Sequence, residues 1–331
     1  MIFSRRTFVG SISILFAPTK SRAQIRSATE TDSEEWPTRP VRFIVAAAAG
    51  SAADDVCRLV AAKLGDRFSQ QFVIVNQPAA TGTLAVQDLV RATPDGYTIG
   101  EISESTQVIA KLYNPGLSYD SINDFALISL LGSAPYVLAV YPGVPAKSVA
   151  ELVALAKRQP LSNGAFGTMS LGFLASKLFE REAGIRLNQV PYRSSAQAVI
   201  DVVAGRVEMQ FSTLPPAIPL IRTGKLRALA TTGAQRFATL SEVPTLAESG
   251  FNGFDVALWL GMSAPAGTPP KIVTRLNTEL VSLLDNAEMR EAMLRQGFVA
   301  ESSSPEMLGT RIGAGFAKWR DVVATAGSTK N

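Results

Sequence analysis

The sequence predicts an α/β fold of two lobes, each built around its own sheet, with a ligand cleft between them. Three observations carry this. From residue 41 to residue 99, apolar runs and helical periodicities alternate strand, helix, strand, helix, strand, the pattern of a parallel sheet with crossover helices. The alternation restarts after residue 125. The 331 residues suffice for two ordinary domains.

The elements follow in order. Val41 to Val45 reads as a buried strand, and a small-residue loop, Ala46 to Ala53, follows it. Val56, Leu59, Val60, Leu64 and Phe68 recur at helical spacing, which predicts an amphipathic helix over Asp54 to Phe68. Phe72 to Val75 is the next strand, and a second small-residue loop leads to a helix near Leu84 to Ala92. Pro94-Asp95-Gly96 is a turn before a third strand that starts at Tyr97-Thr98-Ile99. In the second round, Phe125 to Leu131 and Tyr136 to Val140 are strand-like. Ser148-Val149-Ala150-Glu151 is a capping box opening a helix to about Arg158. Phe166-Gly167-Thr168 is placed in a loop before a helix from Gly172 to Ala183. Then come strand Leu187 to Val190, helix Ala196 to Ala204, and strands Glu208 to Phe211 and Leu226 to Thr231. Thr245-Leu246-Ala247-Glu248 is read as capping a short helix. Asp255 to Met262 is a late strand, which has the C-terminus complete the first lobe. Helices over Pro270 to Asp285, Glu288 to Gln296 and a last one ending near Val323 close the chain. The expected division is residues 36–133 plus 260–327 for lobe 1 and 134–259 for lobe 2.

The N-terminus reads as an export signal. Ser4-Arg5-Arg6-Thr7-Phe8 supplies a twin-arginine charged region, Val9 to Ala17 a short apolar stretch, and Ser21-Arg22-Ala23 a small-residue cleavage site. The expectation is a twin-arginine-type signal peptide over 1–23, cleaved near Ala23, then a flexible polar spacer over 24–35, with order beginning near Trp36-Pro37. The apolar stretch is shorter than the roughly 20 residues a membrane span needs. The expected location is the periplasm, without cytosolic ATP or reduced nicotinamide.

Composition removes several function classes. The formal charge is +4, yet residues 1–23 hold four of the 32 basic residues and no acid, leaving 28 basic against 28 acidic residues. The remainder carries no electrostatic footprint for nucleic acid. The absence of histidine removes serine–histidine and cysteine–histidine catalysis and histidine-ligated metals. The lone Cys57 sits in an apolar helical pattern and reads as a buried, inert thiol. No cofactor and no metal are expected.

In parallel sheets, ligands sit beyond the carboxyl ends of strands. The loop Ala46 to Asp54 is nearly all small, so a ligand can approach its backbone, and the amides and dipole of the next helix favour an anion. Ser51 offers a hydroxyl. No Gly-Lys-Ser/Thr follows, so this is not a P-loop. A tight turn capped by Ser51 or Asp54 accounts for the same residues. Gly164 to Ser170 is the equivalent loop of the second lobe, and capping by Thr168 or Ser170 explains it as well. Asn76 to Gly82 lines the same cleft or makes an ordinary strand-to-helix turn. Arg193 pairs with a carboxylate or is simply solvated. Trp259, Met289 and Met293 read as core.

Taken in order, several segments resemble the Bug family of extracytoplasmic solute receptors of tripartite tricarboxylate transporters. They are Trp36 to Val45, Ala49-Gly50 through Asp54, Pro94 to Thr98, Leu117 to Asp120, Val190-Pro191-Tyr192-Arg193, Gly224 to Ala230, Val243 to Glu248 and Ala264 to Pro269. The resemblance spans about residues 36–320. It implies a class II periplasmic-binding-protein-like fold whose lobes close on a small carboxylate, with membrane permease subunits as partners and a monomeric receptor. The family's carboxylate loops map to Ala49–Asp54 and roughly Gly167–Ser170. The ligand-binding set expected from both readings is Ala49, Gly50, Ser51, Ala52, Ala53, Asp54, Ala80, Thr81, Gly167, Thr168, Ser170 and Tyr192. The loops depart from the family's usual Pro-Phe-x-Ala-Gly-Gly, Arg-Pro-Gly-Ala-Gly-Gly and Gly-x-Gly-Ser/Thr patterns, and Phe173 stands near the family's histidine position. The expected function is a non-enzymatic receptor that delivers its ligand to a transporter. Its alternatives are an orphan receptor feeding a sensory system and an exported carboxylate-only hydrolase or lyase with Asp54, Asp55 and Asp95 as candidates.

Overall fold

Among the described residues ten strands are joined by hydrogen bonds, eight along one continuous path and two branching from its long central strand, which passes between two sheets. The computed structural model describes residues 36–167 and 170–327. The expected signal peptide, the spacer and Thr168 lie outside the described residues.

The first sheet opens with β1 (Val41–Val45), α1 (Ala52–Phe68), β2 (Phe72–Asn76), α2 (Thr83–Arg91) and β3 (Thr98–Ser103). β1 pairs in parallel with β2 and β3, as the alternation predicts. A π-helical turn, Ser105–Ile109, runs into α3 (Ala110–Tyr113). β4 (Phe125–Val140) then runs unbroken for 16 residues where two strands were expected. Gly132 and Pro135 read as breaks, yet both serve the strand. A Cβ at Gly132 would lie 2.5 Å from the Val299 carbonyl oxygen, so only glycine lets β10 (Val299–Ala300) pair there. Pro135, opposite Ala257, ends the pairing of β4 with β9, and pairing with β7 begins at Tyr136, so the proline stands where β4 changes sheets.

The second sheet holds α4 (Val149–Arg158), β5 (Leu161–Phe166), α5 (Leu171–Ala183), β6 (Leu187–Tyr192), α6 (Ser195–Val203), β7 (Met209–Thr213), α7 (Leu214–Arg222) and β8 (Arg227–Thr231). β5 pairs in parallel with β6 and β7, and the C-terminal half of β4 pairs antiparallel with β7 and β8. β5 corrects the expected loop at Phe166, which ends a strand. The Thr245–Glu248 box forms both reciprocal hydrogen bonds, but only a turn follows it, because Gly250 and Gly253 adopt positive φ just beyond. β9 (Ala257–Pro265) returns between β3 and β4, antiparallel to both. α8 (Pro270–Leu284), α9 (Ala287–Arg295) and α10 (Pro305–Gly327) finish the chain.

One hydrophobic cluster packs Trp36, Cys57 and α1 against α8 and α9, and another packs α6 and α7 on β4. A third runs across both sheets through Tyr136, Trp259 and Trp319. Trp36 is buried against Phe68, and Trp259, Met289 and Met293 are buried as expected. Burial of Cys57 pushes its thiol well above the ordinary range, which makes it inert. No helix among the described residues is long and apolar enough to cross a membrane.

Candidate functional site

Strand direction settles which loops meet. β3 runs parallel to β4, since both are antiparallel to β9, so β1, β2 and β3 all point the way β4 travels, toward the second sheet. β7 runs against β4, so β5, β6 and β7 point back toward the first. The carboxyl ends of both parallel sets therefore converge on the switch at Ser133–Tyr136. Ser103, which ends β3, lies level with Leu260 and, through it, Gly132. Thr213, which ends β7, lies level with Tyr136. Four residues of strand, roughly 13 Å, separate the two rims.

On the first rim three loops touch. A Cβ on Gly82 would come within 2.8 Å of the Ala46 Cβ and 3.2 Å of the Thr106 Cγ2, so the segments after β1, β2 and β3 meet at one point. Ala48, Ala49 and Gly50 are exposed. Ser51 is the N-cap of α1: its hydroxyl accepts from the Asp54 amide at 3.3 Å, which decides between the two expected caps. The amides of Ala52 and Ala53 remain the free donors that every helix start presents.

Asp54 turns inward beneath the first loop. It is 1% exposed, and its carboxylate accepts from the Gly50 amide at 2.8 Å, Asn76 Nδ2 at 2.8 Å and Arg58 Nε at 2.9 Å. Burial raises its pKa, but the bonds from Arg58, Asn76 and Gly50 outweigh that and hold it below the usual value. Asn76 also donates to the Ala47 carbonyl oxygen at 3.1 Å. Asp54 therefore buckles the first loop from beneath, and it occupies the Gly50 amide that was expected to be free. Arg58 forms an ion pair with the Asp54 carboxylate.

Ala80 and Thr81 are exposed, with φ of 50° and 55°, the left-handed region. Such backbone costs a residue with a Cβ about 1–2 kcal/mol and concentrates at functional sites.

On the second rim, Gly167 is exposed at φ +66°, and Ser170 caps α5 by accepting from the Phe173 amide at 3.2 Å. Aromatic side chains stand beside this loop. The Tyr136 hydroxyl, its pKa raised by burial, interacts with the Gly172 amide at the start of α5, and the Phe166 ring abuts Gly172 and lies 6.5 Å from the Tyr136 ring. This wall is aromatic and offers fewer free amides. Tyr192 spends its hydroxyl on Asp201 Oδ2 at 2.7 Å. Arg193 is exposed.

Sequence reasoning missed three groups. Ser103 to Thr106 puts a half-buried Ser105 hydroxyl at the first rim, while Ser103 and Thr106 are buried and bonded to each other; only the Ser-Glu-Ser-Thr run after a strand could have signalled it. Glu101, buried under the first loop, accepts from the Ala46 amide at 2.9 Å, and burial pushes it up to about 7 against the opposing bonds from Ala46 and Ser103. Thr232 staples the two chain crossings: its Oγ1 accepts from the Tyr136 amide at 2.8 Å and donates to the Val256 carbonyl oxygen at 2.5 Å. The rims together offer amides and hydroxyls, the donor set of an anion site. Among the described residues no three side chains cluster to hold a metal.

Residues 56–327 match the family model described as "Tripartite tricarboxylate transporter family receptor". Among solved structures, Rpa4515 of R. palustris with adipate is 34% identical, with a TM-score of 0.77 over 88% of this chain and 98% of that one. The periplasmic binding protein BugD is 28% identical, with a TM-score of 0.73 over 88% and 99%. MatC of Rhodopseudomonas palustris with bound malate is 29% identical, with a TM-score of 0.72 over 87% and 100%. The α/β fold is thus that of periplasmic solute-binding proteins. The chain belongs to the tripartite tricarboxylate transporter receptor family, alongside Bug and TctC solute-binding proteins.

Proposed function

We propose that the chain is a monomeric periplasmic receptor that closes two lobes on a small carboxylate and passes it to membrane permease subunits of a tripartite transporter. Lobe 1 comprises residues 36–133 and 260–327, and lobe 2 residues 134–259. The two crossings at Ser133–Tyr136 and Val256–Trp259 form the hinge. The observation that carries this reading is the opposition of two helix starts, α1 capped by Ser51 and α5 capped by Ser170, across the change of sheets in β4. One carboxylate meets the Ala52 and Ala53 amides and the Ser51 loop. The remainder of the ligand spans toward Gly167 and Ser170 beside the aromatic wall of Tyr136 and Phe166. Relatives 34% and 29% identical hold adipate and malate, both dicarboxylates, which supports the same class here. Binding rather than turnover is the activity.

A thermal-shift panel of organic acids, followed by calorimetry, tests this. A small carboxylate raises the melting temperature as binding to the folded state requires, and the bound acid is recovered unchanged. No stabilisation across the panel, or conversion of the bound acid, sinks the proposal.

A further inference from the structure

The third loop of the first rim is anchored from behind by a carboxylate that no ligand-contact argument uses. Glu104 directly follows β3, and Ser105 and Thr106 follow it. Its side chain is 5% exposed and accepts from two indoles. Oε1 takes the Nε1 hydrogen of Trp319 on α10 at 2.6 Å, and Oε2 takes that of Trp259 on β9, the strand that carries the second crossing. α10 is seated close for this purpose: a Cβ on Gly315 would lie 2.9 Å from Glu104 Oε1 and 2.9 Å from Val108 Cγ2.

Lys318, the residue before Trp319 on α10, extends the connection. Lys318 Nζ donates to the backbone carbonyl of Asp255, just before the crossing. α10 also packs on α5 as well as on the π-helical turn, so it touches both proposed lobes. A cavity of about 600 Å³ lies at this junction, walled by Glu104, Trp259, Trp319, Asp255 and Arg181. A second, of about 540 Å³, shares Asp255, Ala257 and Arg311 with it.

We propose that Glu104 is a positioning residue that ties the Ser103–Thr106 loop to the hinge, its carboxylate held jointly by the crossing strand through Trp259 and by the C-terminal helix through Trp319. A shift of β9 against α10 on lobe closure then moves the loop that faces the ligand. The functional part of this inference rests on the receptor reading; the anchoring part does not. The charged groups facing Glu104 are Lys318 and Arg311 on α10 and Asp255 at the crossing, with Arg181 and Glu182 on α5 across the cavity. Burial pushes Glu104 up to about 7 against the pull of Lys318, Trp319 and Arg311.

Native-state hydrogen exchange on the full chain without ligand tests the anchor in Glu104→Ala and Trp319→Phe. Both variants are expected to speed exchange at residues 103–106 and 254–259 by roughly tenfold while α8 stays protected, because local opening is read segment by segment. Trp319→Phe keeps an aromatic ring but loses the Nε1 donor and part of the indole's volume, so it serves if Glu104→Ala does not fold. A change under about threefold, or one equally large in α8, overturns the proposal. Tryptophan emission adds a readout that a general packing role would not move. Two of the chain's three tryptophans touch this carboxylate, so emission is expected to titrate between pH 5 and 8.5. The titration disappears in Glu104→Gln and persists in Glu101→Gln; a titration unchanged in Glu104→Gln contradicts the assignment. Titrating the parent with adipate and malate keeps the two readings apart. Failure of both acids to bind counts against the receptor reading and leaves the exchange result standing.

Discussion

Replacing Asp54 with alanine should loosen the first loop by an amount that can be worked from its three hydrogen bonds. The Gly50 amide, Asn76 Nδ2 and Arg58 Nε all lose their acceptor. Bonds to charged groups contribute about 1.5–3 kcal/mol each. Arg58 is half exposed and rehydrates, so its bond adds little. Gly50 lies in an exposed turn and recovers part of its loss from water, whereas Asn76 keeps only the Ala47 carbonyl. The sum is about 3 kcal/mol, or roughly 6–9 °C in melting temperature at ~2–3 °C per kcal/mol for a chain of this size. Asp54→Asn should cost about half. It keeps an oxygen for Gly50 and turns an NH2 group toward Asn76. The assay is thermal unfolding by circular dichroism, with exchange at residues 46–51 as the local readout. An Asp54→Ala protein that melts within 1 °C of the parent refutes the buckle. Asp54→Asn matching Asp54→Ala shows instead that charge alone matters.

Three further outcomes are expected. Stability falls as pH rises from about 4.5 to 7, because Glu101 and Glu104, ordinarily near 4.5 and raised to about 7 by burial, keep protons in the folded state that the unfolded chain has lost. Each contributes on the order of 3 kcal/mol across that window. Glu101→Gln should flatten the slope in denaturant titrations at a series of pH values, and an unchanged slope contradicts the assignment. Gly132→Ala drives a Cβ onto the Val299 carbonyl and should cost about 2–4 kcal/mol, measured by denaturant midpoint, with β10 released; a neutral variant means β10 does not sit on β4 in solution. Ala80→Gly relieves one left-handed residue and should raise the melting temperature by about 2 °C; no gain or a loss means the turn is not strained in solution.

Much of the first sheet was legible because its signals are local. Apolar runs bounded by small-residue loops mark β1 and β2, and a helical apolar repeat marks α1; before the second sheet's parallel strands a capping box likewise marks α4. What escaped depends on contacts between distant segments. β5 reads Leu-Ser-Asn-Gly-Ala-Phe, a weak strand by composition, and it is held by its neighbours; Asn163, for example, donates to Gln189 on β6 at 2.8 Å. α7 carries three prolines, two of them in its first turn, where proline costs nothing, yet on paper they read as a break. Glu101 and Glu104 are isolated acids in or beside an apolar strand, and only the fold brings Ala46 or two indoles to them. Asp54 matched the expected loop by position, but its orientation was not legible. A helix-start acid can cap, face a ligand or tie the turn together, and Asn76 and Arg58 settle which. Tyr136 lay in a strand-like run; that its hydroxyl meets the start of α5 follows only from β4 crossing between sheets.

The account turns on two donor-lined rims that approach each other around one hinge. Pulsed electron spin resonance between labels at Leu84→Cys on α2 and Ile200→Cys on α6, both well-exposed sites at 47% and 64%, reads that approach directly, with Cys57 buried beyond reach of the label. With a carboxylate that calorimetry shows to bind, the interlobe distance should shorten and its distribution narrow. A distance that stays put while the acid is bound would contradict it.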